Sequence, residues 1–182
     1  MSSVDIAVDA LQRCGVVAYP TEAVWGLGCD PFDYSAVQKI LALKNRPEHK
    51  GLILVAADIT QITQLLAPLS KSQINKLISS WPGPTTWVIE DINNIYPSWI
   101  KGQHSSVAIR VSSHSTIKAL CNAFGGVLVS TSLNPSGMPS AVSESQSRAY
   151  FGDEVSYFVE GDVDKNSQPS KIIILNSGKL LR

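Results

Sequence analysis

The chain is poor in cysteine. Cys14, Cys29 and Cys121 are the whole supply in 182 residues, an odd count at wide spacings with no CxxC pair. His49, His104 and His114 stand near none of them at metal-ligand spacing. Both a disulfide scaffold and a structural zinc site are therefore excluded, and buried free thiols in a reducing compartment are expected. An excess of charge is also missing, since 15 Lys and Arg balance 15 Asp and Glu. That balance argues against a protein that grips nucleic acid by bulk charge, while leaving a local basic patch open. No segment approaches the ~18 apolar residues of a membrane span. The opening MSSVDIAVDALQRCG carries acidic residues where a signal peptide has a basic start, so a cytoplasmic protein is expected. GxGxxG after the first strand, GxxxxGK[ST] and GxSxG are all absent, which removes the commonest nucleotide-binding signatures and the nucleophile elbow of hydrolases. Neither Cys nor His forms an evident nucleophile pair.

What is present is ordinary globular composition, with 44% apolar and 16% charged residues. One domain over residues 1–182 is expected, large enough to bury roughly 70% of its unfolded surface. Val4, Ala7, Val8, Leu11 and Gln12 recur at helical spacing before Gly15. Val16 to Tyr19 form a short buried strand ending at Pro20. A helix over 35–44 puts Val37, Ile40 and Leu41 on one face, and LILVAA at 52–57 reads as a second buried strand. Helices near 58–67 and 70–81 follow, broken by Pro68. The WPGP turn at 81–84 leads into the strand TTWVIE, and SSVAIRV at 105–111 is another. Ser113 is placed to cap a helix that stops at Gly125 and Gly126, and VLVST at 127–131 is a strand. Ser143 and Gln146 are spaced as a capping box for a helix ending near Gly152. VSYFVE and KIIIL close the chain as strands. The interleaving lacks strict βαβ regularity, so the expected fold is α/β, a twisted mixed parallel and antiparallel sheet with flanking helices.

Four segments point to chemistry. YPTEAVWGLGCDP at 19–31 follows the first strand, at the end where open α/β sheets bind ligands, although a capped turn explains the same residues. LKNRPEHKG at 43–51 concentrates Lys44, Arg46, His49 and Lys50 in a loop opened by Pro47. The loop suits an anion, or is simply solvated. Arg110 shares its strand face with Ser106 and Ala108, opposite Val107, Ile109 and Val111. A buried arginine there needs an anion, either a ligand's or a structural carboxylate's. VSTSLNPSGMPSA at 129–141 opens a strand into hydroxyls and backbone N–H groups that cradle phosphate without charge, or form an ordinary turn. Cations in two segments and hydroxyls in a third suggest a polyanion such as a nucleotide.

In order and spacing, YPTEAVWGLGCDP, LKNRPEHKGLILVA, WPGPTTWV, SVAIRV and LVSTSLNPSG resemble the successive blocks of the YrdC-like threonylcarbamoyl-AMP synthases, in the short single-domain bacterial form. The resemblance implies a large concave basic cavity. It also implies the condensation of L-threonine, bicarbonate or carbon dioxide, and ATP into threonylcarbamoyl-adenylate and pyrophosphate for tRNA modification. Magnesium would accompany the ATP, with no ligand to it from the protein and no covalent nucleophile. Residue by residue, the family pattern implies ATP contacts for Lys44, Arg46, Lys50, Ser106, Ser130, Ser132, Asn134, Ser140 and Arg182. It implies threonine contacts for Thr21, Arg110 and Ser170. Downstream tRNA-modification proteins and weak binding of double-stranded RNA or tRNA are implied partners. Departures are Ala23 where many members have Thr, Leu133 where they have Ala, and Lys171 in a usual Ser-Thr-Ile. Two other readings stay open: an RNA-binding or ribosome-maturation module, and a YciO-like paralogue with a different substrate.

Overall fold

The computed structural model describes residues 1–163 and 169–182. Helix α1 spans Ser3–Gln12 and starts on a capping box in which Ser2 and Asp5 each satisfy the other's backbone N–H. It leads to a hairpin of β1 (Val17–Pro20) and β2 (Trp25–Gly28). Then come α2 (Tyr34–Leu43), capped by Asp33, and β3 (Ile53–Ala56). A 3₁₀ turn at Ile59–Ile62 precedes α3 (Thr63–Leu66) and α4 (Lys71–Ile78). The second half contains β4 (Thr85–Glu90), α5 (Ser98–Lys101), β5 (Ser106–Val111) and α6 (Ser115–Phe124). It ends with β6 (Leu128–Val129), β7 (Thr131–Ser132), α7 (Glu144–Phe151), β8 (Tyr157–Phe158) and β9 (Lys171–Ile174).

The expected mixed pairing is present, divided between two sheets rather than carried by one. One sheet has the order β7-β2-β1-β8 and the other β6-β3-β5-β4-β9. In the first, β1 pairs antiparallel with β2 and parallel with β8. In the second, β5 lies parallel to β3 and antiparallel to β4. The predicted strand 127–131 breaks at Ser130. Leu128 and Val129 pair with β3, whereas Thr131 and Ser132 pair with β2, so this one segment stitches the two sheets together. Gly28 is required at the seam, because a Cβ there would sit 2.7 Å from the Tyr19 ring and 2.8 Å from the Val129 carbonyl oxygen.

Helices cover both sides. Ala7, Leu11, Ile117 and Leu120 of α1 and α6 pack on Val17, Tyr19 and Val55, and Val37, Ile40 and Leu41 of α2 pack on Ala18, Leu27 and Leu54. Two capping expectations need correction. The N-cap of α6 is His114 with no side-chain capping bond, and Ser113 lies exposed, one residue too early to reach the first free N–H groups. At α7, Ser143 does accept from the Gln146 N–H, but the Gln146 amide reaches back to the N–H of Val142 instead of Ser143. The stretches near 58–67 and 70–81 form shorter helical pieces than their apolar spacing suggests.

Candidate functional site

A cavity of about 490 Å³ opens at the seam between the sheets. That size is typical of a small-molecule site. Of the twelve ligand positions expected from the sequence, eleven line it; Ser106 does not. Ser106 begins β5, paired with Glu90, four residues before Arg110. At ~3.3 Å per residue it sits ~13 Å along the strand from Arg110, on the same face.

The cation-rich loop is shaped by its backbone. Pro47 stops the helical course, and a 3₁₀ turn over Glu48–Lys50 ends at Gly51, whose φ of 64° and ψ of 176° belong to a region only glycine enters without strain. The Gly51 carbonyl oxygen accepts from both Nε and Nη2 of Arg46, at 3.0 and 2.9 Å. One edge of the guanidinium is thus locked to the loop. Lys44 is nearly completely buried at the end of α2 and donates to the carbonyl oxygens of Ser132 and Asn134 and to Asn134 Oδ1. All three ammonium protons are spent on neutral oxygens, so Lys44 clasps the 130–140 loop from ninety residues away in sequence.

That loop is held from both sheets. The Ser130 N–H donates to the Ile53 carbonyl oxygen, and Ser132 pairs with Gly26. The Ser132 hydroxyl donates to Asn134 Oδ1 at 2.7 Å, and the Asn134 amide nitrogen donates to the Met138 carbonyl oxygen at 2.8 Å. Asn134 therefore ties the loop to itself. Leu133, one of the departures from the family pattern, is fully buried in the core, where its extra bulk fills space and no polar contact is lost.

Arg110 emerges from β5 with its Nη1 3.1 Å from Glu22 Oε2. Of the two partners foreseen for it, the structure contains the carboxylate. Glu22 Oε1 also accepts from the fully buried Ser112 hydroxyl at 2.9 Å. Burial pushes the Glu22 carboxyl up, but the Arg110 charge and these hydrogen bonds outweigh it, and its pKa is lowered from the usual value. Behind this group, His114 donates its backbone N–H to the Ser112 hydroxyl. Among the described residues the buried Nδ1 of His114 has no hydrogen-bond partner, and burial lowers the His114 pKa, with Glu22 opposing.

The last wall comes from the C-terminal strand. The Ile172 N–H donates to the Arg182 carbonyl oxygen and the Leu181 N–H to that of Ile172, laying 180–182 along β9. Arg182 then donates to the Ser170 carbonyl oxygen at 3.1 and 3.2 Å and to its hydroxyl at 3.3 Å. Ser170 and Thr86 join their hydroxyls at 3.0 Å.

Lys44, Arg46, Lys50, Arg110 and Arg182 thus face one carboxylate, Glu22, in a chain of zero formal charge. Among the described residues Lys44, Arg46 and Arg182 have no carboxylate within 4 Å. Burial brings Lys44 down to about 8, with the neighbouring Arg46 charge adding to the effect, and it also lowers Arg46 and Arg182. Cations left without anions, one of them buried and one half-buried, form a site that is stabilised when an anionic ligand enters. The charged lining residue not singled out from the sequence is Glu22. It stands inside the PTE segment, and the requirement that a buried arginine find an anion calls for a carboxylate without saying which one.

A family model covering the Sua5, YciO and YrdC proteins, described as telomere recombination, matches residues 9–182. The threonylcarbamoyl-AMP synthase of Saccharophagus degradans is 50% identical over 175 residues, covering 96% of this chain and 91% of the relative. That of Marinobacter nauticus is 49% identical over 168 residues, covering 92% and 88%. The crystal structure of P. abyssi Sua5 complexed with L-threonine superposes with a TM-score of 0.90 and 29% identity, over 98% of this chain and 53% of that one. This chain therefore spans about half the length of that archaeal protein and nearly all of the bacterial relatives. With a family match that runs from the first helix through Arg182 and takes in every segment lining the cavity, the chain belongs to the Sua5/YciO/YrdC family.

Proposed function

We propose that this protein is a threonylcarbamoyl-AMP synthase, a nucleotidyl-transferring enzyme that joins L-threonine, bicarbonate or carbon dioxide, and ATP. The observation that carries the reading is the convergence of five cations against one carboxylate in a small-molecule-sized cavity of a neutral chain. Relatives named for this activity, about half identical over nearly the full length, support it. The same identity favours it over a YciO-like paralogue.

The reactants are a carbamate, an amino-acid carboxylate and a triphosphate, all anionic. Holding them together is the main task, and positioning plus fixed electrostatics accomplish it without a covalent nucleophile. Lys50 and the free edge of Arg46 face the phosphates. The hydroxyls of Ser130 and Ser140 line the same cavity. Arg110 meets the threonine carboxylate through the donors not engaged by Glu22, where a planar fork outperforms an ammonium. Thr21 lies on the same wall and Ser170 and Arg182 close the opposite side. The carbamate oxygen forms a bond to the α-phosphorus while the bond to the bridging oxygen breaks and pyrophosphate leaves. Lys44 acts through the loop it clasps and through its charge. Among the described residues no three of His, Cys, Asp and Glu converge, and magnesium commonly takes most of its ligands from substrate phosphates and water. The ion would arrive on the triphosphate's own oxygens.

With the purified protein, pyrophosphate release from ATP is expected only when both threonine and bicarbonate are supplied. Equal release without threonine would sink the assignment. An RNA-binding module predicts instead a gel shift with duplex RNA that weakens steeply with salt and ignores threonine.

A further inference from the structure

We propose that Glu22 is a specificity-determining residue that receives the α-ammonium of the amino-acid substrate; this rests on the amino-acid reading of the site given above. In a cavity suited to anions, a carboxylate offsets one positive charge and weakens the hold on every anionic reactant. Among the described residues Glu22 is the only lining side chain that does so. Its environment keeps it charged and open. Each carboxylate oxygen accepts one bond, from Arg110 and from Ser112, while a carboxylate offers about four lone-pair directions. Its side chain is 21% exposed.

The neighbouring group has the same polarity. Thr21 Oγ1 donates its proton to the Val24 carbonyl oxygen at 2.6 Å, across a turn also closed by the Thr21 N–H at 3.0 Å. With that proton engaged, the Thr21 hydroxyl oxygen has only lone pairs to offer. Thr21 and Glu22 therefore make an acceptor-only wall, and Arg110, in contact with Glu22, makes a donor-only wall. Adjacent walls of opposite polarity match a molecule with an ammonium and a carboxylate on one carbon. A molecule bearing carboxylates or phosphates alone would meet repulsion from Glu22.

The placement also has a consequence for turnover. The ammonium and bicarbonate give a carbamate, one water and one proton, which leaves to solvent. The nitrogen loses its charge and the new group is an anion. Glu22, which attracted the ammonium, now repels what replaced it, and the carbamate is driven towards Arg46 and Lys50.

The test compares L-threonine with (2S,3R)-2,3-dihydroxybutyrate, in which a hydroxyl replaces the ammonium, by calorimetry without ATP. The wild-type protein is expected to prefer threonine by about tenfold or more, the value of one charge-assisted bond. In Glu22→Gln that preference should vanish, through weaker threonine binding with the hydroxy acid held as well or better. Parallel losses of both ligands in Glu22→Gln would mean that Glu22 merely orients Arg110, and would overturn the proposal. So would a preference that survives in the folded variant. Should Glu22→Gln fail to fold, the wild-type ratio decides, and equal binding of the two ligands refutes the idea. Wild-type protein that binds neither ligand refutes the amino-acid reading itself, and is told apart from the other failures because threonine binding is then lost altogether.

Discussion

Lys44 shows how far a residue's chemistry depends on where its side chain ends. Counted in sequence it is one cation among four in a short loop. In the structure it is buried against three neutral oxygens, and burial, with Arg46 adding to it, brings its pKa down to about 8. The sign of the consequence follows. The unfolded chain keeps this proton up to the ordinary lysine value and the folded chain loses it near 8. The folded state is therefore penalised at lower pH, and stability rises with pH between those limits. Ligand binding runs the other way, because deprotonation removes a positive charge from the cavity. ATP affinity measured by titration calorimetry is expected to fall by about tenfold as pH rises through 8 to 9, as the Coulomb attraction of one nearby positive charge is lost. Lys44→Met should abolish that inflection and bind more weakly below about pH 8, where the wild-type side chain is charged. An unchanged inflection in the variant would assign the titration to another group.

At the scale of elements, the loop between α2 and β3 depends on glycines more than on its charges. Gly51 carries the carbonyl that grips Arg46, in a backbone conformation reserved for glycine, and a Cβ there would lie 2.9 Å from the carbonyl oxygens of Ile100 and Lys101. Gly51→Ala is expected to cost about 2 kcal/mol or more, from backbone strain and displacement off α5. That corresponds to a drop of ~4–8 °C in Tm for a chain of this size. The KM for ATP should rise because the Arg46 fork moves with the loop. A thermal melt together with ATP kinetics checks both parts, and a stable variant with normal KM would show that the loop does not need this geometry.

Much at this scale was legible in the sequence. The helices α1, α2 and α6, the first strand, and the cationic and hydroxyl-rich loops stand where their patterns put them, because each reflects local spacing, whereas β2 lies inside a segment read only as a loop. Ser113 and the Gln146 half of the capping box were misread since a one-residue shift in helix start changes which N–H groups are free. Ser106 came from the family pattern, and alternation fixes the face of its strand but not its distance from a ligand. The break at Ser130 has no local signature. Leu128 to Ser132 is a plausible single strand until two partners compete for its ends.

For the whole molecule, the informative quantity is the contrast between zero net charge and a strongly positive cavity. A ligand bound at 100 times its Kd stabilises a fold by ~2.7 kcal/mol. Saturating pyrophosphate should therefore raise Tm by several degrees. The effect should shrink as salt rises from about 0.05 to about 0.5 M and the Debye length contracts to a few ångströms. The apo melt should move far less, since the core rather than the charge pattern holds the fold. A salt-independent ligand shift would show that the cations do not act together.

Residue order alone settled the families of side chains available: which loops carry cations, which carry hydroxyls, and which strands are apolar enough to be buried. Those properties follow from neighbours in the chain, and the resemblance to a family rests on them. The pairing of Glu22 with Arg110, the grip of Lys44 on the loop around Asn134, and the return of Arg182 to Ser170 were decided only when distant segments closed on one another. Each joins groups whose separation is set by sheet register and strand crossing, quantities that no local pattern encodes.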